Sequence, residues 1–319
     1  MNARLSRFEV CPACESSVEQ ACVLFSTKMM GVLCSVKKCG VCGLVFKEIY
    51  PDVPELGAIY TADYVHFGAA SAPGAAEIFS ARQKLRRCMR LLRNSRSVGQ
   101  LRVLDVGCGA GGFVKIARHL GYQAEGIDPH LPPHCEDEGL WRATPDKLPT
   151  AAYDAVFLLN VAEHLVAPRR LLSDVRRLLR PGGVLFISCP YGESWALRMY
   201  GARWVHLALD EHLLFWTPGS LGRMLKSVGF TGNSSIRIGG SPFPFGRVAS
   251  SKPSEDTVIG HPVCNPETAH QSFQARVWRF ARWLQARETS GNLVRAIVNA
   301  TRLGDYLEYA ICLSGSHEA

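Results

Sequence analysis

Val103-Leu104-Asp105-Val106-Gly107-Cys108-Gly109-Ala110-Gly111-Gly112-Phe113 reads as a strand, a glycine-rich turn and the start of a helix. Leu101 to Val106 is a short apolar run, as a buried strand requires. Beyond the glycines, Phe113, Ile116, Ala117 and Leu120 recur at helical spacing, and Gly121 is placed to end the helix. Glycines let the backbone approach a ligand closely, and a helix start offers free N–H groups.

The glycines alone admit two readings. Gly107-x-Gly109-x-x-Gly112 satisfies the dinucleotide fingerprint. Asp105-x-Gly107-x-Gly109-x-Gly111 puts an acid ahead of the glycines. A carboxylate there sits badly beside a pyrophosphate and suits a ligand that carries positive charge. Asp128 ends the next strand, Gln123–Asp128, 17 residues after Gly111. An acid in that position can accept hydrogen bonds from both hydroxyls of a ribose, whichever nucleoside carries it.

The remaining elements alternate. Leu140–Ala143 reads as a short strand, and Tyr153–Asn160 as an apolar strand followed by Val161-Ala162-Glu163-His164-Leu165. Arg169–Arg180 carries an apolar stripe through Leu171, Leu172, Val175, Leu178 and Leu179, and Pro181-Gly182-Gly183 is expected to stop it before the buried strand Val184–Pro190. Strands alternating with helices imply an α/β fold with a parallel sheet and right-handed crossovers. Gly304–Leu313 is expected to enter this sheet antiparallel beside Ser234–Ile238 as the last strand, which makes 241–303 an insertion.

Cys11-Pro12-Ala13-Cys14 and Cys39-Gly40-Val41-Cys42 are two C-x-x-C pairs with 24 residues between them. Each can form a knuckle that offers two thiolates, and four thiolates in a tetrahedron suit a structural Zn²⁺ with no open position for catalysis. Ala21–Phe25 and Leu44–Ile49 are the candidate ribbon strands. Cys22 and Cys34 read as buried small apolar residues rather than ligands.

The segments LDVGCGAGGF (104–113), YDAVFLLNVAEHL (153–165) and LLRPGGVLFISCP (178–190), followed by DEHLLFWTPGSLGRMLKSVGF (210–230), resemble class I S-adenosylmethionine (SAM)-dependent methyltransferases that act on small molecules. The double knuckle is similar to the zinc ribbon in front of many of them, including sugar methyltransferases. The resemblance implies a Rossmann-like seven-stranded sheet with a small N-terminal zinc ribbon and a helical insertion before the last strand. The expected organisation is a ribbon over 1–50, a connecting segment over 51–77 and a methyltransferase domain over 78–319. It implies SAM at Asp105, Gly107, Cys108, Gly109, Gly111, Asp128 and Asn160, and zinc at Cys11, Cys14, Cys39 and Cys42. Asn160, Glu163 and His164 follow the fourth strand and are expected to face the methyl-transfer pocket; His164 and His212 are the candidate bases, since imidazole titrates near neutrality, and His206 and Glu211 are weaker ones. An acid that commonly meets the adenine is replaced here by Thr144, with Asp146 nearby.

The implied acceptor is a small molecule, a sugar or nucleotide-linked sugar. The net charge of +8 permits an anionic partner without demanding one. Against an rRNA base methyltransferase with a zinc ribbon stands Cys42, where that group usually has His. Asp105 argues against a nicotinamide oxidoreductase. A non-catalytic SAM-fold binding protein would be expected to lack Asp105 or Asp128, and both are present. The basic, Trp-bearing stretch 273–303 can touch an anionic membrane, or pack on the domain as a lid or homodimer contact, the reading favoured here. No leader-like or membrane-spanning apolar run is evident, so a cytoplasmic protein with reduced thiols is expected.

Overall fold

The computed structural model describes residues 4–52, 73–92, 96–131, 133–135, 139–207, 210–239 and 304–314. The expectations for 53–72 and for the insertion 241–303 therefore lie outside the described residues. The chain starts with β1 (Leu5–Arg7), followed by the long hairpin β2 (Ala21–Met29) and β3 (Val32–Cys39) and the short strands β4 (Val45–Lys47) and β5 (Ile49–Pro51). The hairpin turns at Met30 and Gly31, both at positive φ, as a two-residue turn matched to strand twist requires. β3 was not expected from the sequence, because Lys37 and Lys38 interrupt its apolar alternation.

Next come α1 (Ala75–Met89), β6 (Arg102–Val106), α2 (Gly112–His119), β7 (Gln123–Ile127), β8 (Leu140–Trp141), β9 (Tyr153–Leu159) and α3 (Pro168–Leu178). β10 (Leu179–Pro190) follows α3 at once. Pro181-Gly182-Gly183 is not a gap between helix and strand: it lies within β10, where the pairing with β9 shifts register between Leu179 and Val184. The irregular stretch lets Leu179 pair with Tyr153 before the regular ladder starts. The chain closes with α4 (Trp195–Tyr200), β11 (Leu214–Phe215), α5 (Pro218–Ser227), β12 (Ser234–Gly239) and β13 (Tyr306–Cys312).

Seven strands form one sheet in the order β12-β13-β10-β9-β6-β7-β8. β8, β7, β6, β9 and β10 run parallel, and β13 is antiparallel to both of its neighbours. This is the Rossmann-like seven-stranded sheet that the resemblance implies, with the last strand slotted where the sequence put it. The chain order reverses between β6 and β9, so ligands are expected beyond the carboxyl ends of these two strands.

The parallel strands are buried on both faces and read as continuous apolar runs. On one face Phe157 of β9 packs against Phe113 of α2, with ring centroids 4.7 Å apart, and against Phe186 of β10 at 5.4 Å. α1 covers this face through Leu85 and Cys88, while its Arg87 pairs with Glu308 of β13.

A second sheet has the order β11-β4-β3-β2. β11 pairs antiparallel with β4, Leu214 opposite Phe46 and Phe215 opposite Val45, so the cysteine-rich N-terminal segment and the segment after α4 share one ladder. Lys47 is almost wholly buried in this junction, and its N–H donates to the Leu213 carbonyl at 3.0 Å.

Phe157 is inaccessible and carries the aromatic stack, so Phe157→Ala is expected to cost about 3–5 kcal/mol. Urea denaturation at equilibrium checks this through a lowered midpoint at unchanged slope.

Candidate active site

The turn after β6 is built by conformation. Gly107 sits at φ +76°, and a Cβ there would lie 2.5 Å from Cγ2 of Val161. Gly111, the residue that starts α2, also sits at φ +76°, and its Cβ would lie 2.5 Å from Cδ1 of Leu140. Any side chain at either place meets both backbone strain and a packed neighbour.

Around this turn lie the two predicted acids. Asp105 is buried at the end of β6, and its Oδ1 finds no hydrogen-bond partner among the described residues. Burial, aided by the charge of Asp128, pushes its carboxyl well above the usual carboxylate range. Asp128 stands just after β7. Its Oδ2 accepts from the Gly109 N–H at 3.1 Å and its Oδ1 from the His130 N–H at 2.8 Å. These bonds fix the carboxylate against the glycine turn. The N–H groups of Gly107 and Cys108 are spent on the Ile127 carbonyl. The Cys108 side chain turns inward and packs where Gly126 leaves room, so only its backbone belongs to the turn. Asn160 ends β9 at φ +56°, a region Asn tolerates better than most residues, and its N–H donates to the Ser188 carbonyl. Thr144 donates to Asp146 at the start of a single 3₁₀ turn.

The loop after β9 folds onto the segment before α5. The Glu163 carbonyl accepts from both the Leu213 and Leu214 N–H groups, at 2.8 and 3.0 Å. The Trp216 indole N–H donates to the Ala162 carbonyl at 2.8 Å. This clamp brings His164 and His212 together, with ring centroids 4.8 Å apart and planes at 80°. Nδ1 of His164 lies 3.1 Å from the Glu211 carbonyl, and Nδ1 of His212 lies 2.8 Å from the His206 carbonyl. A carbonyl can only accept, so both Nδ1 atoms carry the proton in the neutral ring and both Nε2 atoms keep a lone pair. Burial, and behind it the neighbouring His164, His206 and Lys47, pushes His212 down to about 2, so its imidazole is neutral. His206 and Glu211 thus enter the site through their carbonyls. The His206 ring packs edge-on against Trp204 and Tyr306 and stacks over His212. Glu163, which the sequence places after β9 and facing the transfer pocket, was assigned no chemical role there. It is fully buried, neither of its carboxylate oxygens has a hydrogen-bond partner among the described residues, and burial pushes it up to about 8.

At the N-terminal end the four predicted cysteines converge. Sγ of Cys11 lies 3.6 Å from that of Cys42, and Sγ of Cys14 lies 3.6 Å from that of Cys39. All four Sγ atoms lie within 4.8 Å of one another, a spacing that fits a tetrahedral thiolate site. Burial opposes ionisation of Cys39, but the Ser16 hydroxyl and the N–H groups of Cys42 and Val41 outweigh it and bring the thiol down to about 6. Cys22 and Cys34 stand outside the cluster; Cys34 is buried as expected, whereas Cys22 is exposed on β2, where its thiol donates to the Lys38 carbonyl.

No helix among the described residues is long and apolar enough to cross a membrane.

A family model described as a methyltransferase domain matches residues 76–235. The ubiquinone biosynthesis O-methyltransferase of Cereibacter sphaeroides is 32% identical over 147 residues, 40% of this chain and 60% of that protein. Its counterpart in Bradyrhizobium diazoefficiens is 32% identical over 158 residues, 43% and 62% of the two chains. The chain thus spans about 60% of the length of these curated relatives. Among solved structures, a SAM-dependent methyltransferase from Mesorhizobium loti is 19% identical over 76% of this chain and 100% of that one, with a TM-score of 0.43. Phosphoethanolamine N-methyltransferase 2 of Haemonchus contortus, in complex with SAM, is 14% identical over 85% and 63%, with a TM-score of 0.45. The matched span runs from α1 through the glycine turn and the histidine clamp to the start of β12, and by it the chain belongs to the methyltransferase-domain family.

Proposed function

We propose that the chain transfers a methyl group from SAM to a hydroxyl of a small molecule, a sugar or nucleotide-linked sugar. The observation that carries this reading is Asp105, a buried carboxyl with an unpartnered oxygen under a glycine turn. Such a group calls for a cationic ligand, and the ammonium of the SAM methionine end supplies one. Asp128, already oriented by Gly109 and His130, then meets the ribose hydroxyls. The exposed Asn160 and the turn formed by Gly107, Cys108, Gly109 and Gly111 complete the cofactor side.

When bound, SAM supplies a methyl group already activated as a sulfonium. The chain then has mainly to align the acceptor and exclude water. His164 and His212 carry Nε2 lone pairs, and the less buried His164 is the one to take the acceptor's proton, because the burial that keeps His212 neutral also makes it a weak base. The relatives' name favours transfer to oxygen, and it supports a second reading in which the acceptor is a hydroxylated intermediate like theirs.

For the N-terminal region the proposal is a zinc ribbon over 1–50, joined by 51–77 to a methyltransferase domain over 78–319. A structural Zn²⁺ held by Cys11, Cys14, Cys39 and Cys42 would brace β4, and through it β11 and the segment that carries His212. Membrane contact or dimerisation through 273–303 stays a proposal for that stretch alone.

Methyl-labelled SAM, incubated with the protein and a cell extract split into nucleotide sugars, glycolipids, quinone precursors, RNA and protein, tests the activity. Label in the sugar fraction supports the first reading and label in the quinone fraction the second; label only in RNA or protein contradicts both. Asp128→Ala should cut SAM affinity and labelling at least tenfold, while circular dichroism in the far ultraviolet stays unchanged. Removing the thiolate-bound metal with a chelator should lower the melting temperature and release one zinc per chain; a chain that melts identically with and without chelator would refute a structural zinc.

A further inference from the structure

Glu163, His164 and His212 form a second constellation, distinct from the four cysteines. One ligand atom from each lies within 4.8 Å of the others. The two imidazoles share a feature that suits ligands. Each imidazole gives its Nδ1 proton to a backbone carbonyl, Glu211 for His164 and His206 for His212. That bond fixes the tautomer and the ring orientation, which is how metal-binding histidines are commonly held. The third group, Glu163, is a fully buried carboxyl whose two oxygens have no hydrogen-bond partner among the described residues. A buried carboxylate in that state is strongly disfavoured unless it is neutralised or meets a cation.

The site is built rather than incidental. The Glu163 carbonyl holds the Leu213 and Leu214 N–H groups, and the Trp216 indole holds Ala162, so the loop and the segment that supply the ligands are tied together. His164 is only half-buried and leaves a way in. The buried ammonium of Lys47 bears on His212 and opposes a cation, but Asp210 and Glu211 face that ammonium and offset its charge.

We propose that Glu163, His164 and His212 bind one divalent first-row transition ion, with open positions left for oxygen donors of the acceptor. Two neutral imidazoles and one carboxylate suit Zn²⁺, Fe²⁺, Co²⁺ or Mn²⁺, whereas Mg²⁺ and Ca²⁺ prefer oxygen alone. With the ion in place the two imidazoles are ligands rather than bases: a bound acceptor hydroxyl is acidified and gives its proton to bulk water, and the oxygen then takes the methyl group from the sulfonium. The ion binds whether or not SAM is the cofactor, so the site can fail without the methyltransferase reading and the reverse.

Titration of the metal-stripped full chain with Co²⁺, followed by absorption, separates the two sites. A four-thiolate site gives intense sulfur-to-metal charge-transfer bands in the near ultraviolet; a site of two nitrogens and a carboxylate gives only weak visible bands. Two equivalents are expected, one of each kind. Glu163→Gln and His164→Ala should each weaken the second equivalent at least tenfold and leave the thiolate bands intact. Those bands also report that the variants have folded, and His164→Ala, at a half-buried position, disturbs packing least. Uptake of a single equivalent by the wild-type chain, or a second equivalent that survives both substitutions, would overturn the proposal.

Discussion

The structure depends on a turn that only glycine can make. After β6 the chain must reverse through positive φ at Gly107 and Gly111, and the space left by the missing side chains is filled. Val161 occupies it at Gly107 and Leu140 at Gly111. Val161 opens the loop that carries Glu163 and His164. The cofactor turn and the acceptor loop are therefore in van der Waals contact through a gap that a single methyl group would close. A substitution at Gly107 would strain the backbone and push on the histidine clamp together.

A second coupling runs to the N-terminal region. β4 and β11 share a ladder, and β11 lies two residues beyond His212. The four-cysteine cluster stands at the far end of the same strand system, since Cys39 ends β3 and Cys42 precedes β4. A two-residue strand such as β11 has little stability of its own. It gains an edge to pair with only if β3 and β4 are held, and thiolate ligation at their ends is what can hold them. On this view the ribbon supports the acceptor side of the site and needs no chemistry of its own.

Much of this was legible in the sequence, because the signals were local. A strand, a glycine turn and a helix within eleven residues, an acid at the end of the next strand, and two C-x-x-C pairs each follow from short-range rules. The antiparallel last strand was legible as well, from its apolar run and its place in the order. Interactions between distant segments were not. His164 and His212 lie 48 residues apart, and they meet through carbonyls that no side-chain pattern reveals. His206 and Glu211 attract notice as titratable groups, yet what they give the site is a backbone oxygen. The sequence put Glu163 on the pocket side of β9, but its burial with no hydrogen-bond partner among the described residues is a property of the fold alone. β3 was hidden for a related reason. Its two lysines break the apolar alternation, and one of them, Lys37, is anchored by Glu48 from the following strand region rather than by anything nearby in the chain.

The claim on which everything else rests is that the turn between Asp105 and Asp128 receives SAM. Calorimetric titration of the full chain with SAM, and separately with NAD⁺, addresses it without knowledge of the acceptor. Saturable one-site binding of SAM, with no heat from NAD⁺, is the expected result. Absence of SAM binding, or preferential binding of NAD⁺, would contradict it and return the glycine turn to the dinucleotide reading.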